Sequence, residues 1–437
     1  MGLKYFGTDG IRGKGFTELS ADLAFHLGNA LKEALNNNTI VIGLDTRSSS
    51  PMLAHMVASG ALLAGLDVYF AGVISTPMIA HYSKLKNITG IMITASHNPF
   101  EDNGIKVFNK GYKSEESEEL IIEDYIINNK LKVSDTYGTF RLTDDVEKEY
   151  FNLIDKLDLK ESKLKLVYDS ANGANYLIAN KIISKYYPNS IQINNKPDGL
   201  NINLDAGSTH LNGIIEHIKS NKMDLGFAYD GDGDRVIMVG SDGTVYDGDF
   251  IILLTAKYLK KHKLLNNNGV VLTRMSNPGI LKALRNNNIN YELTEVGDKH
   301  VYAAMNKNNF ILGGEASGHV IINHLLHSGD GLLASLYILK LLEEENISLE
   351  ELAKEVELYP FKMVNIKNVN KDVLKEERVK LKLAELSKEF ESSDIFYIRP
   401  SGTEPLIRVT ISCEDENKLN KYMDEVVNFI TERGKIL

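Results

Sequence analysis

The chain has a single cysteine, Cys413, so no intrachain disulfide can form, which suits a reducing compartment. Cys413 closes the apolar run Leu406–Cys413 and reads as a small buried hydrophobe rather than a nucleophile. No apolar run reaches the roughly 18 residues that a membrane helix requires. Met1–Gly10 lacks a signal-peptide core, and Phe6 stands where a myristoylation signal has Ser or Thr. No membrane association is expected, and a cytoplasmic location is. Basic excess is missing as well. The net charge is −10, whereas nucleic-acid surfaces are usually basic, so no nucleic-acid partner is expected. There is no G-x-x-x-x-G-K-[ST] loop and no Cys/His cluster spaced for zinc.

What is present is ordinary soluble composition over 437 residues, enough for two to four domains. One unit recurs: a helix, a polar break, an apolar strand, then a loop rich in glycine and charge. Ala21–Leu35 leads to the strand Thr39–Leu44 and the loop Asp45-Thr46-Arg47. Gly213–Ser220 leads to Leu225–Tyr229 and Asp230–Arg235. Phe250–Leu265 leads to Val270–Thr273, and Ala283–Arg285 leads to Ile289–Leu293. This alternation predicts α/β layers, with chemistry beyond the carboxyl ends of strands. The last part reads as a small α+β domain: strands Met363–Val369, Ile395–Ile398 and Leu406–Ser412, with helices Glu376–Phe390 and Lys418–Arg433. The boundaries expected are 1–156, 157–246, 247–361 and 362–437.

Five glycine-rich or polar loops carry candidate chemistry. The apolar strand from Ile88 runs into Thr94-Ala95-Ser96-His97-Asn98-Pro99 and displays Ser96 at its end. Ser96 is either a nucleophile or a turn serine bonding its own backbone. His97 adjoins it, but neighbouring side chains seldom face each other. Asp230-Gly231-Asp232-Gly233-Asp234-Arg235 sets three carboxylates at alternate positions, where glycines let them converge on a hard cation such as Mg²⁺. A solvated acidic turn is the bland alternative. An EF-hand fails, because the sixth and twelfth positions hold Arg235 and Ser241. A phosphatase using Asp230 as nucleophile and Asp232 as acid stays open. Arg399–Pro405, with Arg408 beyond it, offers two hydroxyls, a glycine and two guanidiniums, either as a phosphate cradle or as a hairpin turn with surface arginines. Gly313–His319 suits sugar hydroxyls or a plain turn. Phe6–Gly13 places Arg12 among glycines, ready for a phosphate or simply exposed. Lys106 follows the Ser96 loop and serves as an acid/base group if burial lowers its pKa, or else as a counter-charge.

Four of these loops, in this order, resemble the signature loops of the α-D-phosphohexomutase family over essentially the whole chain. Thr94–Pro99 is similar to its phosphoserine loop and Asp230–Arg235 to its metal loop. Gly314–His319 is similar to its sugar-recognition loop and Arg399–Pro405 to its phosphate-binding loop. The resemblance implies three related α/β domains and a small C-terminal α+β domain around a central cleft. Lys4–Gly13, Asp198–Asn203 with Gly207–Thr209, and Val296–Val301 resemble the amino-sugar branch of the family, with Lys299, His300 and Ala316 as departures. The reaction implied is interconversion of glucosamine 6-phosphate and glucosamine 1-phosphate through phosphorylated Ser96 and a 1,6-bisphosphate, which is also the activator. Glucose or mannose phosphates are the alternative substrates. An aspartyl-phosphate phosphatase and a non-catalytic phosphosugar-binding protein are the readings from other classes. The resemblance also implies one Mg²⁺ held by Ser96, Asp230, Asp232 and Asp234. Arg12 and Arg235 would hold the transferring group, and Lys106 and His97 complete the catalytic set. Glu315, Ser317 and His319 would bind the sugar. Arg399, Ser401, Gly402, Thr403 and Arg408 would bind the second phosphate. A monomer or homodimer is expected.

Overall fold

Ser20 accepts a hydrogen bond from Leu23 N at 3.0 Å and caps the helix Ala21–Leu35, which ends where Asn36 turns left-handed. The strand that follows, Thr39–Leu44, is apolar on both faces because helices cover both sides of its sheet. The structure, a computed structural model, describes residues 3–401 and 406–434. Among these residues the strands form four sheets.

The first sheet has a parallel centre, with Thr39–Leu44 between Asp67–Val73 and Thr89–Ile93. It continues antiparallel through Asp102–Asn109 and Gly10–Lys14. In the second, Leu166–Asp169 and Leu225–Tyr229 are parallel, and Val236–Gly240 returns antiparallel. In the third, Gly269–Thr273 and Leu312–Gly314 are parallel, and Val320–Ile322 returns antiparallel. The same step therefore recurs three times: a last parallel strand, a tight connector, an antiparallel return. The connectors hold Ser96, the three aspartates, and Glu315 to His319, so topology alone puts each candidate loop at an equivalent strand end.

Between these sheets lies one continuous apolar core. The helices Thr76–Lys86, Asp145–Ile154, Tyr176–Tyr186, Gly248–Lys261 and Gly331–Glu345 contribute to it from all three units. The last unit is built differently. Its three antiparallel strands Phe361–Lys367, Leu406–Ser412 and Ile395–Pro400 close a core of their own around Ile407, Val409, Val379 and Val426. Polar contacts such as Tyr397 Oη to Glu295 at 3.0 Å and Lys282 to Glu414 at 3.0 Å join it to the third unit. The helix expected at Ala283–Arg285 begins earlier, at Pro278, because Asn277 caps it and proline fits its first turn.

Two buried carboxylates tie distant segments. Glu123 accepts the backbone N–H groups of Lys4, Tyr5 and Phe6 at 2.5–2.9 Å and pins the hairpin that carries Asp9 and Arg12. Asp330 caps Gly331–Glu345 through Leu333 N and accepts Tyr150 Oη at 2.7 Å, joining the helix Asp145–Ile154 to the third unit. Burial pushes the Asp330 carboxyl up to about 6, against the hydrogen bonds from Leu333 N and Tyr150. Its protonated form is therefore the one the fold favours, and stability falls as pH rises from about 4 through about 6. A rise of that size corresponds to about 3 kcal/mol. We expect Asp330→Asn to remove this dependence. Urea unfolding at about pH 4 and about pH 7 checks it, and an equal gap between variant and parent at both values would contradict it.

Candidate active site

The strand Thr89–Ile93 is wholly buried and delivers Ser96 into the interior, where the residue is 1% exposed. Its backbone is left-handed, φ 53°, which costs a serine about 1–2 kcal/mol and must be held by its surroundings. Thr94 Oγ1 accepts Ser96 N at 3.0 Å. Arg47, fully buried, donates to the carbonyls of Ser96 (3.0 Å), Asn98 (2.8 Å) and Pro99, while its Nε pairs with buried Asp45 at 2.9 Å. From the second unit, Asn203 Nδ2 donates to the same Ser96 and Asn98 carbonyls at 2.9 and 3.0 Å. Two units thus grip one strained loop. The same left-handed turn brings His97 round to Ser96, although neighbouring side chains seldom face each other. Its Nδ1 lies 3.3 Å from Ser96 Oγ. Burial, then Arg235 and Arg12, lower the His97 pKa to about 4, so its imidazole is neutral.

Ser96 Oγ donates to Asp230 Oδ2 at 2.7 Å. Asp230 also shapes its own turn, accepting Gly233 N and Arg235 N, both at 3.1 Å. Gly233 has φ 77° and packs on Asn175, and a Cβ on Gly231 would lie 2.6 Å from Ser96 O. The glycines here permit close approach as well as curvature. One carboxylate oxygen from each of Asp230, Asp232 and Asp234 lies within 4.8 Å of the others, all three residues being buried. Asp232 Oδ2 takes Thr76 Oγ1 at 2.5 Å and Lys106 Nζ at 2.8 Å. Among the described residues, Asp232 Oδ1 and Asp234 Oδ1 are buried with no hydrogen-bond partner. Oxygens left this way are costly unless a cation takes them, and an all-carboxylate set suits a hard divalent ion. Burial and the other two aspartates raise the Asp230 pKa well above its usual value. At Asp234 burial acts the same way, but Lys106, His319 and Arg235 outweigh it and the pKa falls.

Lys106 lies on Asp102–Asn109, two residues from Gly104, which pairs with Arg12 across the sheet. Its Nζ meets Asp232 at 2.8 Å, Asp9 at 3.1 Å and Asp234 at 3.3 Å. Burial alone would lower its pKa, as the sequence reading supposed. The three carboxylates reverse the sign and hold it well above normal, so Lys106 is an ammonium here and a counter-charge to the aspartates. Arg12 reaches the cluster through Asp9, at 2.6 Å. Arg235 Nε is buried 3.8 Å from Asp234 Oδ1.

The third connector folds on itself, Glu315 N to His319 O and Gly318 N to Glu315 O, both at 3.0 Å. Gly248 packs so closely on it that a Cβ would collide with Glu315 O. Glu315 Oε1 accepts Gly297 N at 2.9 Å, and Ser317 is exposed. His319 Nε2 lies 3.2 Å from Gly329 N and its Nδ1 3.7 Å from Asp234; burial alone would lower its pKa, but Asp234, Asp298 and Glu315 raise it. In the last unit Arg399 and Arg408 are direct cross-strand partners. Like charges so placed repel, which suits a shared anion. Arg408 Nε donates to Asn365 at 2.9 Å, and Ser401 N donates to Leu406 O at 2.9 Å. Gly402 and Thr403 lie outside the described residues.

Ser96, His97, Lys106, Arg12, Arg235, His319 and the aspartates thus form one bonded cluster, with Glu315 and Ser317 on the adjoining loop and the two arginines of the last sheet forming a second group. Reading the sequence missed the roles of Arg47, Asn203, Thr76 and Asp9. The loop position of Arg47, the glycine-rich setting of Asp9 and the family-like stretch that holds Asn203 gave the available signals.

Comparison with known proteins places four phosphoglucomutase/phosphomannomutase models end to end along the chain. The α/β/α domains I, II and III match residues 3–132, 148–243 and 247–359, and the C-terminal domain matches 346–429. Phosphoglucosamine mutase of Caldicellulosiruptor saccharolyticus is 40% identical, with 98% of this chain and 99% of that protein aligned. The corresponding protein of Clostridioides difficile is 39% identical over the same shares. Among solved structures, a phosphoglucomutase/phosphomannomutase family protein from Burkholderia thailandensis superposes with a TM-score of 0.81 at 22% identity, covering 98% of this chain and 97% of that one. Aspergillus fumigatus N-acetylphosphoglucosamine mutase, in complex with GlcNAc-6P and magnesium, gives 0.72 at 17% identity, covering 99% and 96%.

Proposed function

Because the chain belongs to the phosphoglucomutase/phosphomannomutase family, we propose that it interconverts glucosamine 6-phosphate and glucosamine 1-phosphate. The observation that carries the reaction is Ser96 Oγ, 2.7 Å from Asp230, beside two orphaned carboxylate oxygens. The choice of sugar rests on near-full-length likeness to phosphoglucosamine mutases.

Ser96 carries a phosphoryl group. The free hydroxyl of the bound sugar phosphate attacks it, the P–Oγ bond breaks as the new P–O bond forms, and a 1,6-bisphosphate results. After the bisphosphate turns over in the cleft, Ser96 Oγ takes the other phosphoryl group and the product leaves. Each transfer moves one proton from the attacking hydroxyl and returns one to the departing oxygen. Lys106 is the charged donor in reach of the aspartate cluster, and neutral His97 offers a lone pair beside Oγ. Asp230, Asp232, Asp234 and the Ser96 phosphate are the groups that would hold Mg²⁺, whose chemistry there is to offset charge on the transferring phosphoryl. Arg12 and Arg235 orient that group. Glu315, Ser317 and His319 face the sugar, and Arg399 with Arg408 pairs the phosphate that is not moving.

The test is kcat/KM for glucosamine, glucose and mannose 6-phosphates, each with its matched bisphosphate. Glucosamine 6-phosphate is expected to lead by at least about tenfold, a margin that polar discrimination readily supplies. A lead for glucose or mannose phosphate overturns the choice of sugar.

A further inference from the structure

Lys113 lies in none of the loops that carry the chemistry, yet it joins two of them. It sits on the short strand Tyr112–Lys113, folded back on Asp102–Asn109 after a left-handed turn at Lys110 and Gly111. Its Nζ lies 2.5 Å from Asp9 Oδ1 and 2.6 Å from Asp298 Oδ2, with the side chain largely covered. Asp9 in turn holds Arg12 and Lys106. Asp298 opens the helix Asp298–Asn308, and the residue before it, Gly297, donates its N–H to Glu315. One cation therefore stands between the groups that handle the phosphoryl and the loop that faces the sugar.

One residue along, the polarity reverses. Lys299, from the third unit, reaches Glu119 at 3.1 Å and the Ser114 carbonyl at 3.2 Å in the first. Two adjacent ion pairs of opposite sense define one register, since a slip of either unit brings like charges together. The contacts also close a circuit. Asp298 lies 3.9 Å from His319, His319 lies 3.7 Å from Asp234, and Asp234 lies 3.3 Å from Lys106, which returns through Asp9 to Lys113. Three units contribute to this ring.

We propose that Lys113 is a positioning residue that sets the spacing between the phosphoryl-handling first unit and the sugar-facing third unit, with Lys299 and Glu119 fixing their register. It acts through Asp9 and Asp298. An exposed pair would contribute little. Here removal of the ammonium leaves two largely covered carboxylates facing each other, with Arg12 and Lys106 still on Asp9, and their repulsion widens the spacing. The inference rests on the mutase reading of the site.

The experiment compares Lys113→Met, Lys113→Arg, Asp298→Asn and the Lys113→Met/Asp298→Asn double variant, using whichever hexose 6-phosphate the parent turns over best. Lys113→Met is expected to lower kcat about tenfold or more with a smaller change in KM, and Lys113→Arg to recover most of it. The double variant is expected to lose no more than the worse single, because the two residues act as one link. Slow loss of phosphate from phosphorylated Ser96 without substrate is expected to stay unchanged, a readout that general damage to the fold would move. Unaltered kcat in Lys113→Met, or a loss that arginine does not recover, overturns the proposal. Should Lys113→Met fail to fold, Asp298→Asn, which keeps Lys113 on Asp9, carries the same kcat and KM comparison. A parent enzyme that prefers glucose or mannose phosphate overturns the choice of sugar and leaves this comparison standing.

Discussion

Ser96→Ala is expected to remove turnover altogether, a loss of at least about 10⁴-fold in kcat, as for an enzyme stripped of its nucleophile. The argument is positional. Oγ is the hydroxyl that the clamped loop delivers to Asp230, and the neighbouring hydroxyl, Thr94 Oγ1, is already committed to Ser96 N. The substitution removes one oxygen and leaves the backbone clamp of Arg47 and Asn203 in place, so stability should change little. A coupled assay for the 1-phosphate product measures the loss. Mass spectrometry of parent and variant, each incubated with the bisphosphate, locates the phosphate. Retained activity, or label on Asp230 in place of Ser96, would return the chain to the aspartyl-phosphate class.

Removal of divalent metal is the second large effect. Three buried carboxylates within 4.8 Å of one another repel by about 3 kcal/mol per pair at an effective dielectric near 20, and Lys106 with Arg235 offsets only part of this. Excess chelator is expected to lower kcat about a thousandfold or more, and added Mg²⁺ to restore it. The same ion should raise thermal stability with or without substrate. At a concentration of about 100 Kd the gain is about 2.7 kcal/mol, visible as a shift of a few degrees in Tm. Asp232→Asn should lose both responses together. Full activity in chelator, or a Tm indifferent to Mg²⁺, would remove the metal from this site.

Much of this was legible in the chain itself, and the reasons differ by residue. Ala21–Leu35, Thr39–Leu44, Leu225–Tyr229 and Leu406–Ser412 occupy the spans the sequence predicts, because caps and unbroken apolar strands are local signals. The serine and aspartate loops were legible for the same reason: each is one short connector. What escaped depends on distance along the chain. Arg47 and Asn203 meet the Ser96 carbonyl across 49 and 107 residues, a contact no local pattern encodes. The sequence left Lys106 open between an acid/base group and a counter-charge, because burial is foreseeable from an apolar strand whereas three carboxylates arriving from two units are not. The contact of His97 with Ser96 was not legible from their adjacency, because a left-handed backbone at serine is written in the packing around it rather than in its own preferences.

The enclosure of Ser96 has a consequence of another kind. A phosphate ester on a residue 1% exposed meets few water molecules, so its fate is a matter of traffic rather than of intrinsic reactivity. The same serine and ion-ready carboxylates, opened to solvent, would serve a hydrolase. Held between two units, they are kept from bulk water, and a hydroxyl reaches them only when it is bound in the cleft beside them. The difference between a transferase and a leaky phosphatase lies here in who is admitted, and the grip of Arg47 and Asn203 on the Ser96 loop is part of that door.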